Sequence, residues 1–169
     1  MRSIMFIAHL PAGYLLTKAL PPAKKKRSLL ITGLFFAVVP DLDLFWFYLV
    51  SARQIPHHQY VTHWPLLWVA VFSFALLVSF VLQRPAMRPY LGIGFAAVIL
   101  HLALDSIAAE IYWLAPFSYK YINLVHIPAK YSWWVYNFIL HWTFAIEMII
   151  CLMAVVLLIF SRKRRVGNP

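Results

Sequence analysis

The sequence predicts an all-α polytopic membrane bundle of about five transmembrane helices, or four if the first is only partly inserted. Three observations predict it. Hydrophobic residues make up 63% of the 169, and the mean hydropathy is +0.77, too apolar for a soluble domain of this size. Apolar stretches near the ~20 residues that a spanning helix requires recur along the chain. The 15 Lys and Arg, against 5 Asp and Glu, sit mostly in short runs beside those stretches, the pattern of cytoplasmic loops. The net charge of +10 is therefore read as topology and lipid headgroup contact, with no nucleic acid as partner.

The five segments are about 3–20, 28–50, 64–82, 90–114 and 133–160. The first contains Pro11 and Gly13, which invite a kink or partial insertion. Its apolar run is broken by His9 and Pro11 and has no small-residue cleavage site, so a retained helix is expected instead of a cleaved signal peptide. Pro21 and Pro22 with Lys24, Lys25, Lys26 and Arg27 separate it from the second segment, which ends through Pro40, Asp41, Leu42 and Asp43 into an aromatic run. A short polar loop, Ser51 to His63, leads to the third segment, and Arg84, Pro85, Arg88 and Pro89 separate that from the fourth. After Pro116 a loop holding Lys120 and Lys130 precedes the fifth, and residues 161–169 form a basic tail. No repeat or second domain interrupts the pattern, so residues 1–169 read as a single integral membrane domain. Lone Cys151 lies in an apolar run and offers neither a disulfide nor a thiolate site.

Charge predicts orientation. Placing the loops near residues 25 and 86 and the C-terminus on one side gathers eleven cations there, leaving only Arg2, Arg53, Lys120 and Lys130 opposite. A cytoplasmic C-terminus and an outer N-terminus follow. In that topology every acidic residue and six of the seven histidines converge near the outer leaflet; His126 belongs to the outer loop.

His101 and Asp105 carry the strongest signal, since residues at i and i+4 project from one helical face and can grip one metal ion. An ionisable group at mid-membrane depth costs ~2.5–3.5 kcal/mol on insertion scales, which makes it a functional expectation by default. Asp41 and Asp43 do not share a helical face, but Pro40 predicts a helix end at which both turn inward. His58 and His63 lie in the loop, and His9 in the outer half of the first segment. His141 and Glu147 are six apart and do not share a face. Glu147 is the better candidate, because a mid-helix carboxylate needs a partner more than an imidazole does. Glu110 and His57 read as interfacial, and His126 with the aromatics from Tyr112 to Tyr136 as an outer aromatic belt.

The metal ligands expected are His9, Asp41, Asp43, His63, His101 and Asp105, with Asp43, His58 and Glu147 as catalytic candidates. Nitrogen and oxygen donors without thiolate suit a divalent metal, zinc first, with manganese and iron accepting the same set. Three other classes compete. A metal or proton transporter would also bury carboxylates and histidines, although the inner halves of segments 3 and 5 are uniformly apolar. A haem protein could use His101 and His141 but has no need of Asp41, Asp43 and Asp105. A non-catalytic metal-binding or structural membrane protein would keep the cluster without chemistry.

The order of motifs is His9-Leu10, then Pro40-Asp41-Leu42-Asp43, then His58 with Thr62-His63, then His101 with Asp105, then Pro116-Phe117. It resembles the YdjM-like family of bacterial inner-membrane, metal-dependent hydrolases, and the likeness covers residues 9 to 117. The sequence departs from the family's usual residues at Leu44, Gln59, Trp64-Pro65 and Ser106-Ile107. The resemblance implies an inner-membrane location and a site formed by these His and Asp residues, similar in arrangement to helical zinc-dependent phospholipase C. It implies hydrolysis of a phosphoester, on a phospholipid or a lipid-linked substrate, by metal-activated water.

Overall fold

A computed structural model of the chain describes residues 7–20, 27–51 and 55–166. Seven α-helices carry the described residues: α1 (His9–Lys18), α2 (Arg27–Phe36), α3 (Asp43–Leu49), α4 (Pro65–Val81), α5 (Arg88–Ala108), α6 (Trp134–Ile139) and α7 (Thr143–Val166). Short 3-10 turns join several of them, and the one β-type pairing among the described residues is an isolated bridge between Ile111 and Ile122. The all-α expectation holds.

The count of spanning helices is lower than five. Among the described residues two helices are long and apolar enough to cross a membrane, Pro85–Ala108 and Thr143–Ser161, and the pair Arg27–Phe36 with Pro40–Leu49 makes a third if it is one span bent by 52°. Each shortfall has a local cause. Pro40 has no N–H to give the carbonyl of Phe36, so the helical ladder of segment 28–50 stops there and restarts at Asp43. Segment 133–160 does supply a spanning helix, which begins at Thr143, where His141 Nδ1 accepts from the Thr143 N–H at 3.4 Å. Among the described residues the first segment supplies ten helical residues and the third seventeen, or about 26 Å for the third at 1.5 Å per residue, short of a ~30 Å hydrocarbon core. At the far end, the tail expected from 161 continues α7 to Val166. Lys24, Lys25, Lys26, Arg2 and Arg53, on which the orientation expectation leans, lie outside the described residues.

Helix α5 is the centre of the bundle, with α1, α2 and α4 packed around it. Half of its spanning window is buried against protein, whereas only 17% of the α7 window is. Trp68 and Phe72 of α4 close over Val98 and Leu102 of α5, and Ala8 and Ala12 meet Leu104, Ala108 and Phe138 on another side. Helices α1 and α2 cross at close range because both present glycine. A Cβ built on Gly13 would stand 2.7 Å from Ala37 Cβ, and one on Gly33 would collide with Thr17 Cγ2. Small residues at such a crossing are how apolar helices approach without a hydrophobic driving force. Here the approach carries the start of α1 against the end of α5.

Candidate metal centre

Five histidines and three aspartates meet at one end of the bundle. His9 opens α1; Asp41 and Asp43 flank the break after α2; His57, His58 and His63 come from the two 3-10 turns before α4; His101 and Asp105 sit in the last turns of α5. All five histidines are buried, as are Asp43 and Asp105. The Asp41 side chain keeps 24% of its surface exposed.

The break at Pro40 does more than bend the chain. In an unbroken helix the Ala37 carbonyl would take the N–H of Asp41, but that N–H turns to Val38 instead, at 3.1 Å. The freed carbonyl accepts from His101 Nδ1 at 2.8 Å. A carbonyl can only accept, so His101 carries a proton on Nδ1 and turns its Nε2 to the cluster. His63 is held in a parallel way: its Nδ1 lies 2.9 Å from Asp43 Oδ2, and the Thr62 hydroxyl donates to the same oxygen. Its Nε2 faces Asp41 and Asp105. A histidine oriented through Nδ1 by a carboxylate or carbonyl, with Nε2 free, is the usual preparation of a metal-ligating imidazole. The loop bearing His63 is fixed by Trp68 Nε1, which donates to the Thr62 carbonyl at 2.7 Å, and by Trp64 Nε1, which donates to the Gln59 carbonyl at 3.2 Å.

The central atoms approach one another without bonding. Asp105 Oδ2 is 3.0 Å from His101 Nε2 and 3.7 Å from His63 Nε2, while Oδ1 is 3.1 Å from His9 Nε2 and 3.8 Å from His58 Nε2. Asp41 Oδ1 lies 3.6 Å from His63 Nε2 and 3.7 Å from His101 Nε2. Among the described residues, both Asp105 oxygens and the Nε2 atoms of His9, His58, His63 and His101 are buried with no hydrogen-bond partner. Orphans of this kind are costly, at about 1–3 kcal/mol each or more for a charged group, and they cluster here. Ligands 2.0–2.1 Å from a tetrahedral ion would stand about 3.3 Å apart, within the 3.0–3.8 Å spread of these separations. The residues fit a divalent metal by donor type, burial and spacing, and three ligand groupings satisfy a metal's reach: His57, His58 and His63; His9, His101 and Asp105; Asp41, His63 and His101.

Two loop histidines differ sharply in acidity. Burial pushes the His58 pKa down to about 4, so the ring is neutral at ordinary pH. Burial alone would also lower His63, but the Asp41 and Asp43 carboxylates beside it outweigh that and raise it to about 9.

The remaining expectations divide. Asp43 stands behind His63, in contact with its Nδ1 side. Glu147, wholly buried on α7, accepts the Ile7 N–H through Oε2 at 3.0 Å and so ties the start of α1 to α7. Glu110 accepts from Gln59 Nε2 at 3.4 Å. His141 does not join the cluster and instead starts α7, and His126 is exposed. His57 is the residue that sequence reasoning misplaced. It is buried, not interfacial, with its ring 3.8 Å from that of His58 and its Nδ1 3.5 Å from Asp43 Oδ1. Adjacent residues normally diverge, which hid it; the signal was the His57-His58 doublet after Pro56, where a 3-10 turn folds both rings inward.

Buried histidines and carboxylates at one end of an apolar helical bundle define a membrane protein with a candidate metal centre. The chain belongs to the YdjM inner membrane protein family, whose model matches residues 4–166. No curated protein and no solved structure matches it.

Proposed function

We propose that this chain is a membrane-embedded, metal-dependent hydrolase that cleaves a phosphoester in a phospholipid or lipid-linked substrate. The observation that carries the reading is the set of buried, unpaired donor atoms converging on Asp105. His9, Asp41, His63, His101 and Asp105 would hold the metal, zinc first by donor chemistry, with manganese or iron accepting the same ligands. A bound divalent cation supplies Lewis acidity, which polarises a phosphoryl oxygen and makes water acidic enough to attack near neutral pH.

The chain's own residues do the rest. Asp43 orients His63 and keeps its Nε2 directed at the centre, with Thr62 steadying the carboxylate. His58, neutral because it is buried, can take a proton from an attacking water. Glu147 holds the start of α1 and with it His9. Substrate enters beside Asp41, the cluster residue with an exposed carboxylate edge. Leu42, Phe45, Trp46 and Leu49 stand exposed just after it and offer acyl chains an apolar ledge next to the polar centre. The charge asymmetry of the sequence supports an outer-leaflet position for this end of the bundle and a cytoplasmic C-terminus.

The test is elemental analysis of the purified chain, followed by hydrolysis assays on phospholipid and lipid-phosphate vesicles, with Asp105→Ala as control. Retained metal and phosphate ester cleavage that both vanish in the folded variant are expected. A chain that takes up no zinc, manganese or iron under any loading condition overturns the reading.

A further inference from the structure

The two oxygens of Asp105 do not face the same nitrogens. Oδ2 looks toward His101 and His63, at 3.0 and 3.7 Å, with Asp41 Oδ1 completing that side. Oδ1 looks toward His9 and His58, at 3.1 and 3.8 Å. The His9 and His101 rings are stacked, with centroids 3.8 Å apart and planes inclined by only 24°. His9, His101 and Asp105 lie within one ion's reach, but an imidazole donor atom directs its bond in the plane of its ring, so two stacked rings point their Nε2 atoms side by side. Each meets a different oxygen of one carboxylate.

We propose that Asp105 is a bridging carboxylate and that the centre holds two divalent cations. One is held by Asp41, His63, His101 and Asp105 Oδ2; the other by His9, His58 and Asp105 Oδ1. The inference rests on the metal-centre reading above and deepens it. Four protein donors close the first site, as in structural metal sites, whereas three donors leave the second an open position of the kind that catalytic sites keep for water or substrate. His58 then acts as a ligand and not as a base, and the second site becomes the place where the substrate's phosphoryl oxygen binds.

Manganese is the probe, because two bridged Mn²⁺ ions give an exchange-coupled paramagnetic resonance spectrum distinct from that of an isolated ion. The full chain in detergent or nanodiscs is stripped, loaded with Mn²⁺ and measured for bound metal per chain and for coupling. Two ions and a coupled spectrum are expected. His9→Ala and His58→Ala should each bring the content to one ion and leave a single-ion spectrum. One ion in the unaltered chain overturns the pair while leaving the one-metal hydrolase standing; uptake of no Mn²⁺ overturns the pair, and uptake of no zinc or iron either overturns both. Two coupled ions that persist in folded His9→Ala and His58→Ala overturn the ligand assignment. If those variants fail to fold, stoichiometry and coupling in the unaltered chain still decide.

Discussion

Helices α5 and α7 are the two longest in the molecule, both are apolar enough to cross a membrane, and each buries one carboxylate completely. Their carboxylates have opposite fates. Glu147 on α7 accepts a backbone N–H from Ile7, a partner that suits a helix pinning the start of another. Asp105 on α5 has four imidazole nitrogens within 3.8 Å, yet neither oxygen is hydrogen-bonded among the described residues. A buried carboxylate is not by itself a sign of chemistry. What distinguishes the two is whether the fold satisfies the group with a hydrogen bond or leaves its oxygens without one among clustered imidazole nitrogens.

The comparison breaks most readily at Asp105. Asp105→Ala should abolish metal retention, while Glu147→Gln, which keeps an acceptor for Ile7, should leave metal content unchanged; elemental analysis of the two folded variants separates them. Next in size is Asp43→Asn, which weakens the hold on His63 Nδ1 and should lower metal affinity about 10–100-fold without abolishing binding, as measured by competition with a chromogenic chelator. Glu147→Leu should cost about 1–3 kcal/mol by stranding the Ile7 N–H, seen as a lower thermal midpoint.

The smallest effect sharpens the contrast through pH. With its pKa raised from an ordinary 6.5 to about 9, His63 is protonated at neutral pH in the metal-free chain, and its ion pairs with Asp41 and Asp43 stabilise that form below 6.5 and fade as pH climbs through 9. A metal must displace that proton, so affinity should rise about tenfold per pH unit up to about 9 and then level. His58, held near 4, adds no further slope above pH 5. Affinity measured between pH 6 and 10 that stays flat would show that His63 is not a ligand.

Much of the centre was legible in the sequence because local spacing encodes it. His101 and Asp105 share a helical face by periodicity alone, and Pro40 announces the break that turns Asp41 and Asp43 inward. His57 was not legible, since a loop has no periodicity from which to read a facing direction and only the 3-10 geometry brings it in. The number of spans was overcounted for a related reason. Hydropathy sums apolar residues over a window and does not register that Pro40 interrupts a backbone ladder. The Gly13 and Gly33 crossing could not be assigned from sequence either, because a small residue shows its purpose only when its neighbour is known.

The gap that Pro40 leaves in the α2 ladder has a further consequence for anyone engineering the protein. Replacing that proline with alanine is an ordinary route to a sturdier helix. In this chain a repaired helix would reclaim the Ala37 carbonyl for its own amide and release the proton it fixes on His101. The imidazole could then flip or change tautomer, and the more heat-resistant molecule would be the poorer metal binder. Helix continuity and the orientation of His101 are in direct competition for one carbonyl oxygen.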